Sequence, residues 1–517
     1  MPSCSTSPTG ARCIAPCAPK FPSIPLQHEP TETEADMTED SEFDVVVIGG
    51  GPGGASAAQY LIAEGLEVAL VEERLIGGEC HYWACNPTKT LLRPIEVLAL
   101  AKAVPGVREA VGSGQLDVAA VFAKRDAIVD HLNDEGVTAA LQQSGLTVLH
   151  AHGRLAGPRV VTVTHPGGRE ETVRARQAVV LATGTRPAIP DVPGLADARP
   201  WTNRDLAAMT HVPPRTLIIG GGVVAVEFAT ILAGLGSKVT LLARGRTLLR
   251  NSETVASEMV TESLRRNGVD LRFEAHPSGV VRSVAGGTVS ATVGDETIEI
   301  DEVVVAAGRV VNTDSLGLES VGLRSGEFVP VDDHLQALGV DGTWLYAMGD
   351  TTGRALLSHL SQYHAVVVAD IIAARAQGRR LGADELIARD PHNLPQVIYT
   401  DPQVVEVGRT ESQARADGFT VTTTTARYPE SVPDLAIFRD GFDAWAKLVI
   451  DADTDTLLGA TFVGPEFAEL AQAATLAIVA KVPVETLRHV VAPHPSINQI
   501  WNPLLARRRG HSGGPTS

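Results

Sequence analysis

The chain has 517 residues, a formal net charge of −18 and 44% hydrophobic residues, enough for about three domains with sizeable cores. The acidic balance argues against nucleic acid or an anionic membrane as main partner, and no apolar stretch reaches the roughly 18 residues needed to span a bilayer. Five cysteines are too few for a disulfide scaffold at this length and fit a reducing, cytoplasmic compartment.

Residues 1–40 are rich in Pro, Ser and Thr and show no hydrophobic period, which predicts a disordered extension. It holds Cys4, Cys13 and Cys17 but no apolar segment of the secretory type, and Met37 offers an alternative start. The next run, Phe43 to Ile48, reads as an apolar strand. It leads into Gly49-Gly50-Gly51-Pro52-Gly53-Gly54 and a helical stretch, Ala55 to Glu64. This is G-x-G-x-x-G, carried by Gly49, Gly51 and Gly54, in a strand-turn-helix setting, where a helix start faces a pyrophosphate. A second strand, Glu67 to Val71, ends at Glu72, about 20 residues on, where a carboxylate accepts from a ribose hydroxyl.

Shortly after comes Gly77-Gly78-Glu79-Cys80-His81-Tyr82-Trp83-Ala84-Cys85-Asn86-Pro87-Thr88-Lys89. Two cysteines so placed can hold and release an electron pair beside a flavin. In a continuous helix their Cα atoms would stand roughly 8 to 9 Å apart, beyond the ~7 Å that a disulfide tolerates, so the segment must bend if the pair closes. Pro87 suits the first turn of a helix from Thr88 to about Leu100, leaving Cys85 at its N-terminus, where the helix dipole favours a thiolate.

The pattern recurs. Strand Thr216 to Ile219 meets Gly220-Gly221-Gly222-Val223-Val224-Ala225, with Gly220, Gly222 and Ala225 at the fingerprint positions, then a helix to Leu235 and a strand Lys238 to Leu242. Each unit passes through hairpin strands, turning near Pro166-Gly167-Gly168 and Ala285-Gly286-Gly287. The closing strands end alike, in Leu181-Ala182-Thr183-Gly184 and Val305-Ala306-Ala307-Gly308. Such self-similarity predicts two related Rossmann-like nucleotide-binding domains in an α/β fold, one for a flavin and one to deliver hydride. Where an NAD-binding unit places an acid, the second unit has Ala243, followed by Arg244, Gly245, Arg246 and Arg250. Guanidinium forks match a 2′-phosphate, so NADPH is favoured over NADH.

From about Phe43 to Pro503 the chain resembles the pyridine nucleotide-disulfide oxidoreductases, the group that contains dihydrolipoamide dehydrogenase, glutathione reductase and mercuric reductase. The resemblance rests on both fingerprints, the C-x4-C segment, Glu227, the Ala-Thr-Gly and Ala-Ala-Gly-Arg turns, Ala347-Met348-Gly349-Asp350 and His494-Pro495-Ser496. It implies an FAD-binding domain over 41–190, an inserted NAD(P)-binding domain over 191–313, an FAD return segment over 314–388, an α+β dimerisation domain over 389–505 and a tail over 506–517. It also implies roles. Cys85 would be the thiolate against the flavin and Cys80 the interchange thiol; Lys89 would pair with Glu227 near the ring. Asp350, Gly153, Gly78, Gly308 and Thr183-Gly184 would contact cofactor, and Arg244 and Arg250 match the arginine pair of NADPH-using members. His494 would act as general acid/base on the partner subunit's Cys80, in a homodimer with shared sites.

Three features depart from that family. Gln499 stands where a glutamate is usual, and it can hydrogen-bond His494 but cannot supply a charge. Glu79 replaces a threonine, and His81-Tyr82-Trp83-Ala84 replaces small and aliphatic residues. The chain also has no cysteine after Cys85, unlike mercuric reductases. No metal site is predicted. The expected activity is electron transfer from NADPH through FAD and a Cys80–Cys85 disulfide to a disulfide or similar small acceptor. A quinone-type acceptor served directly from flavin is the enzymatic alternative, and a non-catalytic flavoprotein subunit is the alternative of another class.

Overall fold

The computed structural model describes residues 40–112, 114–380, 388 and 392–506. The expectations for Cys4, Cys13, Cys17 and Met37, and for nearly all of the two terminal segments, lie outside the described residues. The first sheet is built on strand Asp40–Ile48, which pairs in parallel with Val68–Glu72 on one side and Glu170–Leu181 on the other. Thr147–His150 extends it beyond Val68–Glu72, and Leu345–Ala347 returns to pair in parallel with the end of the long strand. Val45, Val46, Val47, Val179 and Val180 are wholly buried, as expected of parallel strands covered on both faces. Helices Pro52–Ala63 and Ser358–Ala376 pack together against this sheet. Strand one begins at Asp40, three residues before the apolar run, because Asp40, Ser41 and Glu42 align with Thr172, Val173 and Arg174. The ladder recruits residues of poor strand propensity.

The second unit has a parallel sheet in the order Asp270–Phe273, Lys238–Ala243, Arg215–Ile219, Glu302–Val305. Beside it lies an antiparallel sheet of Gly279–Arg282, Val289–Val293 and Glu296–Ile300. The repeat holds with one difference. In the first unit hairpin and closing strand are one continuous element, Glu170–Leu181, which also pairs with Val160–Thr164. In the second the chain breaks at Asp301, whose carboxylate takes the Arg215 main-chain N–H at 2.9 Å and its guanidinium at 2.8 and 3.0 Å. Strands Thr185–Pro187 and Arg309–Val311 pair where the chain leaves the first unit and comes back. The second unit is thus inserted in the first.

A five-stranded antiparallel sheet completes the chain, in the order Pro395–Ile398, Gln403–Gly408, Thr456–Gly464, Trp445–Asp451, Val421–Arg427, with helix Leu470–Val479 packed on it. One apolar core joins the three parts, bringing Leu91 and Leu92 of the cysteine helix against Phe228 and Ile231 of the second unit, with Trp445 and Val463 in the same cluster. Burying such side chains contributes roughly 1.5–3 kcal/mol each, and this core sets where the cysteine segment sits. Among the described residues no helix is long and apolar enough to cross a membrane.

Candidate active site

A cleft of about 430 Å³ opens at the carboxyl ends of the first sheet, lined by the glycine loop, Glu72, Gly78 to Cys80, Gly153, Thr183, Gly184, Asp350 and Ser358. At Gly54 a Cβ would lie 1.9 Å from the Gly49 carbonyl oxygen, so only glycine lets the helix start against the strand end. At Gly51 a Cβ would meet nothing within 4 Å; that side is open cleft. Helix Pro52–Ala63 has no side-chain cap, and Pro52 opens it, so its first-turn N–H groups are available to an anion.

The polar groups of the cleft suit a dinucleotide. Glu72 accepts from the main chain of Gly50 at 2.6 Å and of Arg74 at 2.8 Å, while burial raises its carboxyl above the usual range. Asp350 accepts from the Thr185 hydroxyl at 2.6 Å, and burial raises it too. The Thr183 hydroxyl oxygen is buried with no hydrogen-bond partner among the described residues; a buried hydroxyl left so asks for one from a ligand. These residues fit FAD.

The cysteine segment bends as expected. Cys80 lies in the short helix Gly78–Tyr82, Trp83 and Ala84 break the path, and Cys85 opens helix Cys85–Ala103. This helix begins three residues ahead of Thr88. Pro87 still falls in the first turn, where its missing N–H costs nothing, and Thr88 makes the 3.1 Å bond back to Ala84. Cys80 and Cys85 are free thiols that influence each other's protonation. Ser358, first residue of helix Ser358–Ala376, has its hydroxyl 3.2 Å from the Cys85 sulfur. Two helix N-termini therefore converge on one sulfur. The neighbouring Cys80, helped by Ser358 and the Lys89 charge, outweighs burial and lowers Cys85 to about 6. Cys85 in turn, with burial, pushes Cys80 up. The negative charge belongs on Cys85 and the proton on Cys80.

Lys89, one turn after Cys85, reaches Glu227 of helix Val223–Gly234 at 2.8 Å. Glu227 is 3% exposed, and its other oxygen takes the Tyr399 main-chain N–H at 3.0 Å. The Tyr399 ring lies under the Lys89 ammonium, 5.2 Å away. Nothing local in the sequence pointed to Tyr399.

The unusual loop divides into parts with different surroundings. Tyr82 is buried, its hydroxyl 3.3 Å from the Asn133 carbonyl, and His81 packs edge-on to it. His81 itself meets Asn86 at 3.0 Å and Asp130 at 3.5 Å. Of the three aromatic-ring residues only Trp83 lines the cleft. Glu79 is a charge centre: it accepts from Arg204 at 2.5 Å and Asn203 at 2.8 Å and lies 3.5 Å from Arg309, while Arg204 stacks over Trp83. A threonine there would leave both guanidinium groups without this carboxylate.

In the second unit a Cβ at Gly220 would lie 2.2 Å from the Ala306 oxygen, matching 2.4 Å between Gly49 and Ala182. Gly222 faces open space, Ala225 is buried in the third glycine place, and Gly308 turns the chain at φ 131°. Ala243 ends its strand. Arg246 pairs with Glu274 at 2.8 Å, whereas Arg244 and Arg250 are exposed. His494 is 64% exposed at its side chain, lies outside this chain's cleft lining and touches Gln499 at 2.8 Å.

The sequence model of the pyridine nucleotide-disulphide oxidoreductases matches residues 43–378, and that of the family's dimerisation domain matches residues 394–504. Glutathione reductase of Burkholderia cepacia is 32% identical over 478 residues, covering 90% of this chain and 99% of that protein. Dihydrolipoyl dehydrogenase of Thermus scotoductus is 32% identical over 471 residues, with coverage of 88% and 95%. Mercuric reductase of Staphylococcus aureus is 29% identical over 472 residues, covering 90% of this chain and 83% of that protein. Among solved structures, the Cu(II) complex of the HOCl-induced flavoprotein disulfide reductase RclA from Escherichia coli has the same fold, with a TM-score of 0.76 at 24% identity over 90% of this chain and 99% of that one.

Proposed function

The chain belongs to the pyridine nucleotide-disulphide oxidoreductase family, and from that premise we propose that it is a homodimeric enzyme passing electrons from NADPH to the Cys80–Cys85 pair and on to a disulfide or similar small acceptor. Members of the family use FAD and a pyridine nucleotide. Bound FAD would supply the two-electron relay between the nicotinamide and the sulfurs. In this reading Gly49, Gly51 and Gly54 admit the pyrophosphate, Glu72 holds the adenosine ribose, Asp350 the ribityl chain, and Thr183 with Gly184 closes over them. Gly78 and Gly153 would meet the cofactor through their backbone, a Cβ at either running into Gly51 or Val71, and Gly308 faces open space. Lys89, neutralised by Glu227, sets the field beside Cys85.

The observation that carries the proposal is the placing of the sulfurs: Cys80 and Ser358 line a cleft that suits FAD, and the Ser358 hydroxyl stands 3.2 Å from the Cys85 sulfur. Anaerobic titration of the holoenzyme with NADPH tests it. A long-wavelength thiolate-to-flavin band is expected at two-electron reduction. Because Cys85 is lowered to about 6, the band should persist from neutral pH downward and fade as pH drops through about 6. No band at any pH would reject the sulfur relay in favour of direct transfer to a quinone-type acceptor, the reading that Gln499 also favours. The Lys89–Glu227 pair, with its carboxylate buried, speaks for a working enzyme over an inert flavin-binding subunit.

For the nucleotide, Ala243 offers no charge to repel a 2′-phosphate, and Arg244 and Arg250 have no ion-pair partner among the described residues. kcat/KM is expected to be higher for NADPH than for NADH. Replacing both Arg244 and Arg250 by alanine should lower that ratio by about 10- to 100-fold, the worth of one or two charge-assisted hydrogen bonds. A wild-type preference for NADH would end this assignment. Homodimer formation is supported by the matched dimerisation domain, and it would bring the exposed His494 of one subunit to the partner's cleft.

A further inference from the structure

Gln499 sits in the tight turn Ile497–Ile500 and is buried. Its amide is held at both ends. The main-chain N–H of Ser496 has only a proton to give, so the Gln499 atom 3.1 Å from it is the oxygen, and the nitrogen is the atom 2.8 Å from His494 Nδ1. An amide nitrogen also has only protons to give. Nδ1 must therefore offer its lone pair, and the neutral ring carries its hydrogen on Nε2. Asp434 Oδ2 stands 3.9 Å from the same Nδ1, beyond hydrogen-bond reach.

We propose that Gln499 is a specificity-determining positioning residue that locks His494 in the Nε2–H tautomer, so that the ring meets the second half-reaction as a hydrogen-bond donor and not as a base. This rests on the NADPH, flavin and homodimer parts of the reading above, in which His494 reaches the acceptor side of the partner's site; for the last step it favours the quinone-type acceptor over the disulfide. A glutamate at 499 would accept from Nδ1–H and leave Nε2 free to take a proton from a thiol. In Ser-His-Asp sites the reverse swap, acid to amide, puts the ring in the wrong tautomer and lowers kcat about 10⁴-fold. Here the wrong tautomer for thiol activation is built in. Cys80, pushed toward the neutral thiol by its neighbour Cys85 and by burial, has no base in the ring to deprotonate it. The acceptors favoured are those whose reduction needs no Cys80 thiolate and gains from a donor at a developing negative oxygen, as a quinone does. The overall balance is NADPH + H⁺ + quinone → NADP⁺ + hydroquinone: one nicotinamide C–H bond breaks, two O–H bonds form, and the second proton comes from solvent.

The test compares wild-type holoenzyme with Gln499→Glu, using bis(2-hydroxyethyl) disulfide and 1,4-naphthoquinone as acceptors and NADPH as donor. The ratio of disulfide to quinone kcat should rise about 10²-fold in the variant, within the usual range for general acid–base help. Adding His494→Ala should remove that rise. Long-range ¹⁵N–¹H NMR of the wild type, with His494 assigned by its absence in His494→Ala, should show the Nε2–H tautomer and stands even if the variant does not fold. A wild-type Nδ1–H tautomer, or an unchanged acceptor ratio in a folded Gln499→Glu dimer, overturns the proposal. Failure of NADPH to reduce the flavin in either form would instead strike the functional reading beneath it.

Discussion

Replacing Cys80 by serine is expected to lower turnover of a disulfide acceptor by about 10³-fold or more, the scale of losses when a nucleophile is removed. Serine nearly matches cysteine in shape, so the packing of the short helix Gly78–Tyr82 should survive and the loss should be chemical. Reduction of the flavin by NADPH should continue, visible as electron delivery to ferricyanide. Replacing Cys85 by serine should abolish the long-wavelength band, because the anion resides on that sulfur under the pull of Cys80, Ser358 and Lys89. Full turnover of the physiological acceptor by the Cys80→Ser enzyme would remove the disulfide from the pathway.

Lys89→Ala should be the most destabilising single change at the site. It leaves the carboxylate of Glu227, 3% exposed, with the Tyr399 N–H as its remaining partner; Lys89 itself is 36% exposed at its side chain, so solvent screens part of the pair and the loss is expected at about 1–3 kcal/mol. The double variant Lys89→Met, Glu227→Met should recover most of that loss, since no buried charge is left over. Thermal unfolding of both holoenzymes checks the sign of the coupling. The rate of flavin reduction should stay slow in the double variant, because the charge near Cys85 is gone in both. Equal stability losses in single and double variants would show that the two side chains are not coupled.

Stretches governed by contiguous residues were legible before any coordinates. Gly49, Gly51, Gly54 and Glu72 lie within one strand-turn-helix-strand unit, where the required turn, the close approach of Gly54 to the Gly49 carbonyl and the acid at the strand end are demands on particular positions. The second unit repeats them at Gly220, Gly222 and Ala225. A bend between Cys80 and Cys85 was expected if the pair closes, from the mismatch between helix spacing and disulfide reach, and the chain bends there with both thiols free. Boundaries were less legible: the start at Asp40 and the break at Asp301 depend on what each strand meets in its sheet.

The amino-acid order alone thus determined the two nucleotide-binding units, the paired cysteines and the departures at Glu79 and Gln499. Only the tertiary structure decided what those departures do. Ser358 reaches Cys85 across 273 positions of sequence, Asn203 reaches Glu79 across 124 and Tyr399 reaches Glu227 across 172. No spacing rule governs such pairs, because the partner is chosen by how separately folded layers pack. Gln499 and His494 are near in sequence, yet which amide atom faces the ring was settled by the Ser496 N–H, a backbone direction that exists once the turn has closed.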